Sequence, residues 1–273
     1  MSKNSLKDKV VVITGASSGI GKACAFAFAA AGAQVMLAAR NAEKLSEIER
    51  QIREQGQKAS TCRTDVSIED DCRKLIETTI REFGTIHILI NNAGISMRAV
   101  FADVDLKVIR QLMDINFWGT VYCTRYAIGE IIKNKGSIGG VSSIAGYKGL
   151  PGRTGYSASK FAMQGFLDAL RVENLKTGVH VMVVCPGYTA SNIRNTALNK
   201  QGRQQGDSPL DENSLMSAEE VADHIVNGII HRKRVVILTL QGKFTVLLNK
   251  FFPAFMDKMV YNVVSKEKDS PFH

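Results

Sequence analysis

The stretch KVVVITGASSGIGKACAFAFAAAG, residues 9–32, decides how this chain folds. Lys9 to Ile13 is a β-branched run that suits a strand, and Gly19 to Ala31 has the length and alanine content of a helix. Between them Thr14 to Gly21 carries three glycines, Gly15, Gly19 and Gly21, in the order G-x-x-x-G-x-G. That order is the reverse of the usual dinucleotide fingerprint, yet it lies where helix-terminal amides can meet a phosphate. Simple close packing of helix on strand would use the same glycines.

Outward from this turn the same alternation repeats. Strands are expected at Gln34 to Ala39, Lys58 to Arg63 and Ile86 to Asn91, and helices at Ala42 to Gln55 and Ile68 to Phe83. Leu106 to Asn134 forms one or two further helices, Ile138 to Ser142 a strand, Tyr156 to Lys176 a helix and His180 to Cys185 a strand ended by Pro186-Gly187. A helix at Ala218 to Ile230 and a strand at Val235 to Leu240 resume the pattern. The βαβ rhythm predicts a doubly wound parallel sheet of about seven strands, with right-handed crossovers and helices on both faces. Residues 192–216 are polar and longer than an ordinary connection, as expected of a substrate lid.

The chain has 273 residues, 45% of them apolar and 22% charged, which fits a single α/β domain at 1–240 with an amphipathic extension at 241–273. No secretory leader is evident, and no apolar run approaches the ~18 residues of a membrane-spanning helix. Five cysteines lack C-x-x-C spacing and read as reduced thiols of a cytoplasmic protein, and five scattered histidines form no metal site. Of the net charge of +9, more than half falls after residue 230, where eight Lys and Arg face three acids. No aromatic-interleaved basic strand accompanies it, so nucleic acid is disfavoured against a solvated or membrane-facing basic surface.

A second stretch, GSIGGVSSIAGYKGLPGRTGYSASK at 136–160, places Tyr156 and Lys160 four residues apart on one helix face. An ammonium beside a phenol favours the phenolate, so Tyr156 is expected to be more acidic than an ordinary tyrosine.

These segments resemble the classical branch of the short-chain dehydrogenase/reductase family, a Rossmann-type fold. The resemblance rests on TGxxxGxG at Thr14–Gly21, Asp65 in Thr64-Asp65-Val66, NNAG at Asn91–Gly94, Asn116, Ser143, YxxxK at Tyr156–Lys160, and Pro186-Gly187, and spans residues 8–240. It implies a catalytic set of Asn116, Ser143, Tyr156 and Lys160. It also implies nicotinamide nucleotide contacts from Gly15, Ser17, Ser18, Gly19, Ile20, Gly21, Asp65, Val66, Asn92, Ala93, Gly94, Tyr156, Lys160, Pro186, Gly187 and Thr189. The family's threonine after Pro-Gly is replaced by Ser191, with Thr189 nearby. In this reading Ser143 stabilises the developing oxyanion, Tyr156 donates or accepts the proton, Lys160 holds the ribose, and Asn116 keeps a water in contact with Lys160. Taken singly, Ser143 could cap a loop, Asn116 be a satisfied buried amide and Tyr156 a packing residue.

The second strand ends in Ala39 where NAD-selective proteins carry an acid, and Arg40 follows. The guanidinium fork suits a 2′-phosphate, with Ser17 assisting, so the expected cofactor is NADP(H). The alternative for Arg40 is a surface ion pair with Glu43 or Glu47. Ile95, Ser96, Met97, Ala145, Tyr147, Leu150 and Tyr188 are expected to line the cleft. With no Arg or Lys evidently placed to grip a carboxylate, the substrate is expected to be a lipophilic ketone or aldehyde, such as a steroid-like or acyl-chain carbonyl. The chain is thus expected to be an NADPH-dependent carbonyl reductase. A non-catalytic NADPH-binding sensor or scaffold is the alternative, while a nucleotide-sugar epimerase is disfavoured by the glycine spacing.

The tail carries Phe244, Leu247, Leu248, Phe251, Phe252, Phe255, Met256, Met259, Val260 and Val263 at helical spacing, with lysines at 243, 250 and 258. Pro253 should divide it into two short helices. Its phenylalanines, placed on one stripe, could cover the cleft, pair two chains or lie on a bilayer, while docking on the domain is the plainest reading. The family resemblance further implies a homodimer or homotetramer built on its fifth and sixth helices.

Overall fold

In the computed structural model, residues 6–189, 193–206, 215–267, 270 and 272 are described. Seven parallel strands, β1 (Val10–Thr14), β2 (Gln34–Ala39), β3 (Ala59–Arg63), β4 (Ile88–Asn91), β5 (Ser137–Val141), β6 (His180–Cys185) and β7 (Val235–Ile237), form one sheet. Their order is β3-β2-β1-β4-β5-β6-β7. The chain winds outward from β1 to β3, crosses back, and winds the other way from β4. The crevice where the order reverses lies between the carboxyl ends of β1 and β4, where such sheets bind their ligands.

The helices are α1 (Gly19–Ala30), α2 (Ala42–Glu54), α3 (Glu69–Phe83), α4 (Leu106–Leu112), α5 (Gly119–Lys133), α6 (Thr154–Glu173), α7 (Ala218–Ile230), α8 (Leu240–Phe251) and α9 (Pro253–Ser265). Side chains of a strand alternate between faces. Val11 and Ile13 therefore enter a core with α1, α2 and α7, whereas Val12 joins Leu75, Cys123, Met163 and Leu167 of α3, α5 and α6. Both faces being covered, the strands read as continuous apolar runs.

Differences from the sequence expectation are local. A π-helical turn, Met113–Trp118, joins α4 to α5, so the two helices are one bent rod. The last strand stops at Ile237, because Thr239 adopts a positive φ of 67° and its hydroxyl caps the amide of Gly242. The tail does split at Pro253.

Candidate active site

Gly15 turns with φ 66°, and a Cβ on Gly21 would sit 2.2 Å from its carbonyl oxygen, so only glycine lets α1 start this close to β1. Thr14 ties this turn to the loop after β4, its hydroxyl accepting from the amides of Asn92 and Ala93, each at 3.0 Å. Asn92 Nδ2 donates back to the Thr14 carbonyl at 2.9 Å. Ser18, the N-cap of α1, makes no side-chain cap, which leaves the first amides of the helix, Ser18 to Gly21, without a side-chain partner at the end of β1. A Cβ on Gly94 would meet Asn116 Oδ1 at 3.2 Å and Lys160 Nζ at 3.5 Å. The open amides and this bare backbone are the features a nucleotide with its phosphates would fill, so the residues fit such a cofactor.

Arg40 is exposed at the end of β2 and makes no ion pair among the described residues. Glu47, one partner weighed for it, is held by Arg50 and Gln51. Asp65 accepts from the amide and hydroxyl of Ser67 at 3.0 and 2.7 Å, closing a turn before α3, and Val66 packs on Gly119. On the far side of the crevice Thr189 is buried and its hydroxyl donates to the Gly187 carbonyl. Ser191 lies outside the described residues.

Ser143, at the carboxyl end of β5, accepts from the Ala145 amide at 3.2 Å through its hydroxyl and is close enough to the Tyr156 phenol to draw its pKa down. The phenol is buried, and burial raises its pKa, opposed by the Ser143 bond and then by the Arg153 charge. Lys160 is buried too, and desolvation pushes its pKa down to about 8. Its Nζ donates to the Val141 carbonyl at 2.8 Å and lies 5.8 Å from the Tyr156 ring centroid. The expectation that Lys160 makes Tyr156 acidic is thus not met in the chain by itself, where desolvation is the largest influence and raises the phenol pKa.

Asn116 lies in the π-helical turn, fully buried, with every side-chain polar atom bonded. Its Oδ1 accepts from Ile95 N at 2.8 Å, and Nδ2 donates to Ile95 O at 3.0 Å and Ser159 Oγ at 2.9 Å. It stitches the loop after β4 to α6, one residue from Lys160.

Met97, Ala99, Val104, Val108, Leu112, Ala145 and Leu198 pack around Tyr156 as an apolar wall, with Ile95 and Leu150 at its edge. Leu198 belongs to the expected lid. Within that segment Leu198 bridges to Met97 and to Gln204, while 192 and 207–214 lie outside the described residues.

Sequence reasoning missed a charge cluster beside this wall. Glu267, its side chain only 3% exposed, pairs with Arg98 and Arg153, each at 3.2 Å. Against the expectation that no Arg or Lys is placed to grip a substrate carboxylate, Arg98 and Arg153 do stand beside the wall, and both are paired with the tail carboxylate. The link spans over a hundred residues, so no spacing pattern announces it.

A family profile described as short chain dehydrogenase matches residues 9–202. The Dehydrogenase/reductase SDR family member 7B of Rattus norvegicus is 36% identical over 279 residues, covering 98% of this chain and 85% of the rat protein. The 11-beta-hydroxysteroid dehydrogenase 1A of Arabidopsis thaliana is 35% identical over 263 residues, covering 92% of this chain and 74% of the plant protein. In fold, the chain is similar to a Burkholderia phymatum short chain dehydrogenase/reductase in complex with NAD, with a TM-score of 0.81 at 23% identity, covering 92% and 96% of the two chains. An alcohol dehydrogenase of Thermococcus sibiricus complexed with 5-hydroxy-NADP gives a TM-score of 0.74 at 24% identity over 85% and 95%. The chain belongs to the short-chain dehydrogenase/reductase family of NAD(P)-dependent oxidoreductases.

Proposed function

We propose that this chain is an NADPH-dependent reductase of a lipophilic ketone or aldehyde, with Tyr156 as the proton donor. One observation carries the reading: Ser143, Tyr156 and Lys160 converge at the carboxyl end of β5, between the open crevice of the glycine turn and an apolar wall. The reduced nicotinamide supplies the hydride. Ser143 offers a neutral donor to the carbonyl oxygen, and Tyr156, a phenol protonated at neutral pH and held more firmly so by burial, delivers the proton. Lys160 holds the ribose hydroxyls, and Asn116 fixes the backbone around it.

Gly15 to Gly21, Asp65, Val66, Asn92 to Gly94, Pro186, Gly187 and Thr189 are the residues that would hold the nucleotide. Unpaired Arg40, with Ser17, supports the 2′-phosphate form. The wall of Met97, Val108, Leu112 and Leu198 supports an uncharged, lipophilic substrate, a reading in keeping with relatives named as 11-beta-hydroxysteroid dehydrogenases. Of the expected lid, residues 193–206 would close over it through Leu198. Exposed Trp118, Ile132, Phe161 and Val172, beside α5 and along α6, support a homodimer or homotetramer. No disulfide joins the five thiols, which suits a reducing compartment such as the cytoplasm.

The test is NADPH oxidation against a panel of ketones and aldehydes. Tyr156→Phe is expected to lose about 10²–10⁴ in kcat, the range of general acid catalysis. Arg40→Ala is expected to lower the NADPH-to-NADH ratio of kcat/KM by about 10- to 100-fold, one charge-assisted contact. Tight NADPH binding without turnover of any carbonyl would overturn the reading in favour of a sensor.

A further inference from the structure

We infer that the outer face of α8, with the α8–α9 junction, is a docking surface for an anionic lipid bilayer. The helix is inside out for a water-facing element. Thr245 and Gly242 are buried, Gly242 against Ile144, and Asn249 Nδ2 donates to the Tyr147 carbonyl at 3.0 Å. The opposite side presents Leu240, Phe244, Leu247 and Phe251, exposed by 73, 59, 54 and 63%. At 3.6 residues per turn these four lie within a sector of roughly 60°. Phe252 and Phe255 extend the patch around the junction, so the expected stripe of four phenylalanines becomes two leucines and two phenylalanines on α8 plus two phenylalanines at the corner. The apolar side of α9, Met256, Val260 and Val264, is spent inward, packed with Leu150 and Leu248.

Charge selects the occupant. Among the described residues the acids of this segment are paired within the protein, Asp257 with Lys148 and Glu267 with Arg98 and Arg153. Lys243 and Lys250 are exposed on α8 beside the patch and Lys258 is exposed on α9, and none of the three makes an ion pair among the described residues. Lys250 Nζ lies 5.8 Å from the Phe251 ring centroid. A second copy docking on this face would bring the same lysines together, because a two-fold contact uses one patch twice. An anionic leaflet instead meets both the lysines and the aromatic rings. The basic run Arg232-Lys233-Arg234 precedes β7 and sits at the other end of that strand, so it does not belong to this face. No helix among the described residues is long and apolar enough to cross a membrane, so the geometry is that of a helix lying on the surface.

The buried side of α8 rests on Ile144 and Tyr147, within the loop that begins at Ser143. Docking therefore holds that loop next to the bilayer, from which a lipophilic substrate can enter; this consequence rests on the reductase reading, whereas the docking does not.

Flotation of the full chain with phosphatidylcholine vesicles, with and without phosphatidylserine, tests it. The wild type is expected to float with the phosphatidylserine vesicles, and less so in high salt. Phe244→Ser/Leu247→Ser/Phe251→Ser and Lys243→Glu/Lys250→Glu/Lys258→Glu are each expected to lower partitioning at least tenfold while binding NADPH as before, since all six side chains face solvent. A wild type that floats with neither vesicle, or a serine variant that floats as well as wild type, overturns the inference. A serine variant that turns an oligomer into a monomer, with no vesicle binding by wild type, also overturns it and assigns the face to a second copy. Flotation without carbonyl turnover supports docking and counts only against the reductase reading.

Discussion

Lys160 shows what the candidate site costs the fold. Its pKa falls from 10.5 to about 8 because burial penalises the ammonium. At about 1.4 kcal/mol per unit this is on the order of 3 kcal/mol against folding at neutral pH, at the upper end of the roughly 1.5–3 kcal/mol that its charged bond to Val141 returns. Lys160→Met is therefore expected to abolish reduction while raising the unfolding temperature by at most a few degrees. The sign follows from linkage: between pH 8 and 10.5 the unfolded chain binds the proton that the folded chain has lost, so this penalty fades as pH rises through that window. Buried Cys24 and Cys185, whose pKa values are raised, run the opposite way as pH climbs. The difference in urea midpoint between variant and wild type, shrinking from pH 7 to pH 10.5, isolates Lys160; a constant difference would refute its burial penalty. Catalysis follows the same groups. Tyr156 is protonated and Lys160 charged together only below about pH 8, so kcat/KM for reduction should fall as pH rises through that value. The residue types were legible from motif spacing. Their protonation was not, because a sequence gives neighbours along a helix and not the desolvation that here outweighs them.

At the level of elements, legibility followed periodicity. Gln34–Ala39, His180–Cys185 and Ala218–Ile230 fall where the apolar pattern puts them, and Pro253 starts α9 as its missing amide requires. The π-helical turn at Met113–Trp118 left no such mark, since one extra residue per turn barely alters a helical pattern. That turn carries Asn116, whose amide holds Ile95 and Ser159. Asn116→Leu removes all three bonds and leaves the half-buried N–H and C=O of Ile95 without their partner, at the lower end of about 1–3 kcal/mol each. The expected result is a lower unfolding temperature with a loss of kcat larger than any change in KM for NADPH, since no cofactor-holding residue of the glycine turn is moved. Unchanged kcat would reduce Asn116 to a satisfied core amide. The tail teaches a complementary point: spacing finds an apolar stripe, but only the partners of Gly242, Thr245 and Asn249 reveal that the stripe of α8 faces out.

Across the whole molecule the tail is fastened to the one segment that carries both Ser143 and Tyr156. Asn249 bonds the Tyr147 carbonyl, Asp257 pairs with Lys148, Val260 packs with Leu150, and Glu267 pairs with Arg153. Residues 241–267 thus form the outer wall of the catalytic segment, which a family profile ending at residue 202 does not describe. Glu267 is the decisive tie, because its removal leaves Arg98 and Arg153 buried beside each other without their shared carboxylate. Breaking a buried pair in this way costs about 3–5 kcal/mol. For a chain of this size each kcal/mol lowers the unfolding temperature by about 2–4 °C, so Glu267→Gln should lose on the order of 10 °C. Arg153→Met should be destabilising as well, and the double variant should lose less than the two losses combined, because each substitution removes the charge the other leaves uncompensated. Additive losses would show that the pair is not coupled. Arg153 also draws the Tyr156 pKa downward, so in Arg153→Met the phenol should hold its proton more strongly, and the alcohol-oxidising direction, which needs the phenolate, should shift to higher pH. A purely structural tie would lower stability without moving that profile.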